Sequence, residues 1–212
     1  MSEIQKRNVM KEDFGWEVPV ESVPIPSEGI IYSPESILYK RKTVNIKSMT
    51  AREEDILSSQ ALIKDGTVLE HLVKSCVIED RFPVQDLILG DRNALMIAIR
   101  ITGYGPEYPV SATCRKCGEL NTINVNLTEI PINRLKIEPV EEGQNLFSFK
   151  LPVTKKNVIF KFSTIKTEKE RKIKDKNYKN FLEEMIEPSV TSILEDAIVQ
   201  IDNITDKNKI KH

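Results

Sequence analysis

The stretch Leu89–Gly118, LGDRNALMIAIRITGYGPEYPVSATCRKCG, limits the possible folds of this chain more than any other. Ala94, Leu95, Met96, Ile97, Ala98, Ile99 and Ile101 are interrupted only by Arg100, and the remaining polar residues are Arg92, Asn93 and Thr102. A helix apolar on nearly every side belongs inside a fold, with neighbours around it. Gly90-Asp91 opens it, with the carboxylate at the positive end of the helix. Gly103 and Gly105 then turn the chain, and the apolar period changes from helical to two. Tyr108, Val110 and Ala112 alternate before Cys114-Arg115-Lys116-Cys117-Gly118, and Ile123, Val125 and Leu127 alternate after it. This spacing predicts a β-hairpin with the cysteine turn at its tip.

Upstream, Val44 and Ile46 alternate within a short strand at Thr43–Lys47. Thr50 followed by Glu53 is a capping box, and Ile56, Leu57, Ala61 and Leu62 form the apolar face of the helix it opens. Asp65-Gly66 stops that helix. Thr67 caps a second one running through Val77, with the stripe Val68, Leu69, Leu72, Val73 and Cys76. Pro83 suits the first turn of a short helix ending near Leu89. Downstream, Phe147, Phe149 and Leu151 alternate, as do Val158, Phe160 and Phe162, predicting a second hairpin around Lys155-Lys156-Asn157. Thr167 with Glu170 reads as another capping box, opening a helix that turns amphipathic toward Tyr178, Phe181, Leu182, Met185 and Ile186. Pro188 breaks it, and Val190, Ile193, Leu194, Ile198 and Ile201 pattern a last helix.

The expected class is α+β: a compact helical core followed by a small antiparallel β-hairpin sheet and C-terminal helices. Three consecutive segments follow. Residues 1–36 form an extended apolar N-terminal arm, 37–165 the helical core plus hairpins with the CxxC tip, and 166–212 a C-terminal helical segment. Pro19, Pro24, Pro26 and Pro34 keep the arm extended. It carries more apolar surface than a linker does, so it is expected to lie in a groove, its own or a partner's. Phe14, Trp16, Ile30 and Tyr32 are its candidate partner-binding residues.

A chain of 212 residues is one large domain or two small ones. Its formal net charge of −1 argues against a global attraction to nucleic acid or anionic membrane. No apolar run approaches a bilayer span, and the N-terminus lacks the apolar core of a secretion signal, so the expected location is the cytoplasm in which the chain is made. His71 and His212 are the only histidines, which weighs against acid–base chemistry near neutral pH. Gly103-Tyr104-Gly105 lacks the lysine and the following helix of a phosphate loop. The lysines from Lys166 to Lys179 are interleaved with Glu168, Glu170 and Asp175, as on a solvated helix face. No catalytic and no cofactor-binding residue is expected, and the chain does not read as an enzyme.

Cys114 and Cys117, followed by Gly118, have the shape of a metal knuckle, since two thiolates from one tight turn can chelate a tetrahedral ion. Four ligands are needed, and no cysteine follows Cys117. His71 and Cys76 stand five apart on a helix, on different faces. The pair therefore reads first as a knuckle kept as a turn, with no cofactor expected; an intrachain zinc site and zinc shared between two chains are the alternatives, and only the shared one could complete the ligand set. Flanking strands in place of a helix N-terminus disfavour thioredoxin-like chemistry. Cys76, on an apolar stripe, reads as core.

In order, PIPSEGIIY, SMTAREEDIL and LILGDRNALMIAIRITGYGPEYPVSATCRKCG resemble the baseplate protein family of T-even-type contractile-tailed bacteriophages. The resemblance spans Val23 to Leu127 and continues more loosely through VIFKFST. It implies a non-enzymatic late protein, a baseplate hub subunit or hub assembly factor, that acts through contacts with other baseplate hub or tail proteins. The implied location is the host cytoplasm during assembly and the tail baseplate of the virion. Two alternatives accompany it: a tail-assembly chaperone for tape-measure or hub proteins, absent from the mature virion, and a zinc-ribbon-like adaptor.

Overall fold

A computed structural model describes residues 9–11, 17–178, 196–202 and 204–206. The chain divides into two compact units, each assembled from separated stretches of sequence. The first takes the described residues of Met1–Pro26, Thr43–Phe82 and Arg92–Asn133. The second takes those of Ser27–Lys42, Pro83–Asp91 and Arg134–His212. The sequence had been divided instead into three consecutive segments. Residues 20–24 of the expected arm pair with Thr43–Lys47, while Ser27, Ile30 and Tyr32 hydrogen-bond to residues far along the chain, Asp91 and Gly143.

In the first unit, β1 (Val9–Lys11), β2 (Glu17–Pro24) and β3 (Thr43–Lys47) form an antiparallel sheet in that order. Val23 sits opposite Val44, and Val18, Val23, Val44 and Ile46 are buried. This part of the arm thus fills a groove of its own chain. The third strand of the sheet, β3, is the one expected at Thr43–Lys47, and the helices follow it. The Thr50 capping box forms as expected and opens α1 (Ala51–Ser58). After α2 (Gln60–Asp65), α3 (Val68–Cys76) buries Leu72, Val73 and Cys76, while Leu69 in its first turn stays exposed. The chain leaves α3 along β3: Ile78 N–H donates to the Asn45 carbonyl at 3.1 Å.

Helix α4 (Leu89–Tyr104) begins where expected. Its burial is narrower than its composition predicted. Leu95 and Ile99, one turn apart, are fully buried, whereas Ala94, Met96, Ile97, Ala98 and Ile101 are half-buried. Past Gly105 come β4 (Glu107–Thr113) and β5 (Leu120–Asn126), in the predicted hairpin.

In the second unit, β6 (Phe147–Lys150), β7 (Asn157–Phe160) and β8 (Ile198–Ile201) form an antiparallel sheet. Phe147, Phe160 and Phe162 cluster at centroid distances of 4.9 to 6.0 Å. Ile198–Ile201, patterned as part of the expected last helix, is a strand. Its β-branched run instead suits the edge position beside β7, with Val158 opposite Ile201. Val190, Ile193 and Leu194 of that expected helix, like Phe181, Leu182, Met185 and Ile186 of the one before, lie outside the described residues. Helix α5 (Ile165–Tyr178) starts three residues earlier than the expected Thr167 cap would set it. Thr164 and Thr167 cap reciprocally: Thr164 N–H donates to Thr167 Oγ1 at 2.8 Å, and Thr167 N–H to Thr164 Oγ1 at 3.2 Å. The Glu170 partner required by the expected box is not used in this cap. The described elements mix helices with small antiparallel sheets, so the class is α+β.

Candidate functional site

Within the described residues, the β4–β5 hairpin is the feature least explained by the packing of its own unit. Every residue of β4 is exposed, as are the first five of β5. Pairing of Tyr108 with Val125, Val110 with Ile123 and Ala112 with Asn121 places Tyr108, Val110, Ala112, Ile123 and Val125 on one face. On the other face Ser111 and Thr122 share a 2.9 Å hydrogen bond. Ile123 is 62% exposed. Exposed apolar residues that are contiguous, rather than scattered singly, mark surfaces that meet another protein.

The base of the hairpin is held firmly. Arg100 Nη1–H donates to the Gly105 carbonyl at 3.1 Å, and its guanidinium lies 4.7 Å from the Tyr104 ring centroid and 5.7 Å from that of Tyr108. Leu127 N–H closes the base on the Pro106 carbonyl at 2.9 Å. One arginine thus ties the end of α4 to the start of β4, and the hairpin leaves the helix in a fixed direction.

At the tip, Gly118 N–H donates to the Cys114 carbonyl at 2.9 Å and Cys114 N–H to the Glu119 carbonyl at 2.8 Å. Gly118 has φ +74°, a left-handed conformation that costs a residue with a Cβ about 1–2 kcal/mol. Backbone N–H groups of Cys117 and Lys116, and the Cys117 side chain, point at the Cys114 sulfur and hold its thiol below the ordinary cysteine range. Both cysteines are free. Among the described residues, no three of His, Cys, Asp and Glu cluster as a metal set. His71 is exposed on α3 and Cys76 buried on it, on different faces as expected. Burial pushes the Cys76 thiol up to about 12, so it stays protonated.

Among the described residues, two buried carboxylates anchor polar networks, one in each unit. In the first, Glu53 accepts from Thr50 N–H at 2.9 Å, Thr50 Oγ1 at 2.6 Å and Ser75 Oγ at 2.5 Å, with Lys47 Nζ 3.5 Å away. Burial alone would raise its carboxyl. The Ser75 and Thr50 donors and the Lys47 ammonium outweigh that and hold it below the glutamate range. In the second, Asp91 accepts from Ser27 N–H at 2.9 Å, Ser27 Oγ at 2.5 Å and Tyr32 Oη at 2.6 Å. Here burial wins over the Ser27 and Tyr32 hydrogen bonds, and the carboxyl lies above the aspartate range. Neither centre is arranged as a catalytic set. The Glu53 network ties the start of α1 to β3 and the last turn of α3, and the Asp91 network ties the loop after β2 to the start of α4.

Of the candidate partner-binding residues, Tyr32 is 6% exposed, with its hydroxyl engaged by Asp91 and by Ile88 N–H at 3.2 Å. Its side chain is anchored within the second unit. Ile30 is half-buried, and its carbonyl accepts from Gly143 N–H at 3.1 Å. Phe14 and Trp16 lie outside the described residues. The exposed face of Tyr108, Val110 and Ile123 was missed as a surface, although its alternation was visible. Alternation shows that one face is apolar and leaves open what covers it.

A family model described as T4 bacteriophage base plate protein matches residues 31–211 of the chain. No curated protein and no solved structure matches it.

Proposed function

Because the chain belongs to the T4 bacteriophage base plate protein family, we propose that it is a non-enzymatic hub subunit or hub assembly factor of a contractile-tail baseplate. It works by docking onto other hub or tail proteins during assembly in the host cytoplasm. The observation that carries this reading beyond the family is the β4–β5 hairpin, an apolar face on a rigidly held base that its own unit leaves exposed. Interfaces of this kind draw their affinity from a few apolar and aromatic anchors and little from charge, which suits a chain of net charge −1. Tyr108, Val110 and Ile123 are the anchors on the hairpin. Phe14 and Trp16 are further candidates by residue type.

Co-expression with the other tail and hub proteins, followed by pull-down and mass spectrometry, tests the docking. Recovery of hub proteins supports it, and recovery of none of them contradicts it. The same chain detected in purified virions identifies a subunit. Absence from virions, together with recovery in the pull-down, identifies an assembly factor or a tail-assembly chaperone.

A further inference from the structure

The hairpin tip presents two sulfurs of a tetrahedral thiolate site, and we propose that a second copy of this chain supplies the other two. One zinc ion is then held by Cys114 and Cys117 of each copy and joins the hairpins tip to tip. The half-site is already built. The Gly118 N–H to Cys114 carbonyl and Cys114 N–H to Glu119 carbonyl hydrogen bonds close the turn that carries both cysteines. It is also accessible, since Cys117 is exposed and Cys114 half-exposed at the end of a hairpin that stands clear of its unit.

Zinc in a structural site takes four ligands, and thiolates are among its preferred ones. The described residues offer no third ligand beside the pair, and Cys76 is sealed in the core. A two-fold axis through the metal brings an identical pair and completes the set with no other residue type. Charge favours the same occupant. Zinc with four thiolates is a dianion, and the two turns surround it with Arg115 and Lys116 from each copy, all exposed. Without the metal these cations repel one another across the axis, so the pairing depends on zinc. Leu120, 66% exposed beside the knuckle, loses water when the tips meet. As each Zn–S bond forms, any proton still on that sulfur passes to solvent, and no electron is transferred.

The experiment uses the full chain alone, reduced, with zinc sulfate and no other tail protein, so its outcome is independent of baseplate docking. Mass by light scattering should double on zinc addition. Bound metal should reach one zinc per two chains, and chelation should return a folded monomer. Cobalt in place of zinc should give the absorption of a tetrahedral tetrathiolate. Cys114→Ser and Cys117→Ser should each abolish both metal binding and the mass increase. A wild-type chain that stays monomeric in excess zinc, or a monomer holding one zinc per chain, would overturn the proposal. So would a zinc-dependent dimer of either serine variant.

Discussion

Tyr32 Oη donates a 2.6 Å hydrogen bond to Asp91 Oδ2, joining residues 59 positions apart within one unit. Burial and the neighbouring Asp91 charge push the phenol above its ordinary range, so the hydroxyl is a permanent donor. The same oxygen accepts the Ile88 N–H, just ahead of α4. One side chain therefore ties the loop after β2 to the start of the longest helix in the described residues.

Tyr32→Phe removes that donor, leaving Asp91 Oδ2 with Ser27 Oγ alone, and removes the side-chain acceptor of the Ile88 N–H. Hydrogen bonds to charged groups contribute about 1.5–3 kcal/mol, so a loss of that size is expected in urea unfolding. The midpoint should fall with an unchanged denaturant slope.

Glu53 and Asp91 should give opposite pH dependences. The lowered Glu53 carboxyl contributes stability above the ordinary glutamate range, and this is lost as pH falls through its folded value. The raised Asp91 carboxyl does the reverse: its contribution is fully present below the ordinary aspartate range and is lost as pH rises through its folded value. Unfolding curves of Glu53→Gln and Asp91→Asn across the acid range check this. Relative to wild type, Glu53→Gln should lose less stability on acidification, and Asp91→Asn should lack the gain that acidification brings.

Gly29 has φ +74°, and a Cβ there would stand 2.3 Å from the Leu38 carbonyl oxygen and 2.4 Å from the Arg41 nitrogen, both backbone. Gly66 has a similar φ of +67° with nothing within 4 Å. Gly66→Ala should therefore cost only the left-handed strain, about 1–2 kcal/mol. Gly29→Ala should cost clearly more in the same unfolding assay, because the backbone around residues 38–41 must also move.

Local chemistry was well legible in the sequence. The Thr50–Glu53 cap, the α3 stripe and both predicted hairpins follow from patterns a few residues long, and all form. What depends on distant partners was not. Nothing near Tyr32 in the sequence points to Asp91, so an aromatic in an apolar arm looked like a docking residue. Ile198–Ile201 carries apolar residues that fit a helical period as well as a strand, and only β7 decides between them. The candidate site was half legible. The CxxC tip and its alternating flanks were plain, but which apolar face stays uncovered is a property of the assembled unit.

The central claim is that the exposed face of β4–β5 docks this chain onto other baseplate proteins. It is tested most directly by comparing wild type with the double variant Val110→Lys and Ile123→Glu, an opposite-charge pair across the two strands, in the co-expression pull-down. Both positions are exposed, so unfolding stability should stay within about 0.5 kcal/mol of wild type. Wild type should recover hub or tail proteins, and the variant should recover at least about tenfold less, as expected when anchors carry about 1.4 kcal/mol or more. Equal recovery by a folded variant would contradict the account.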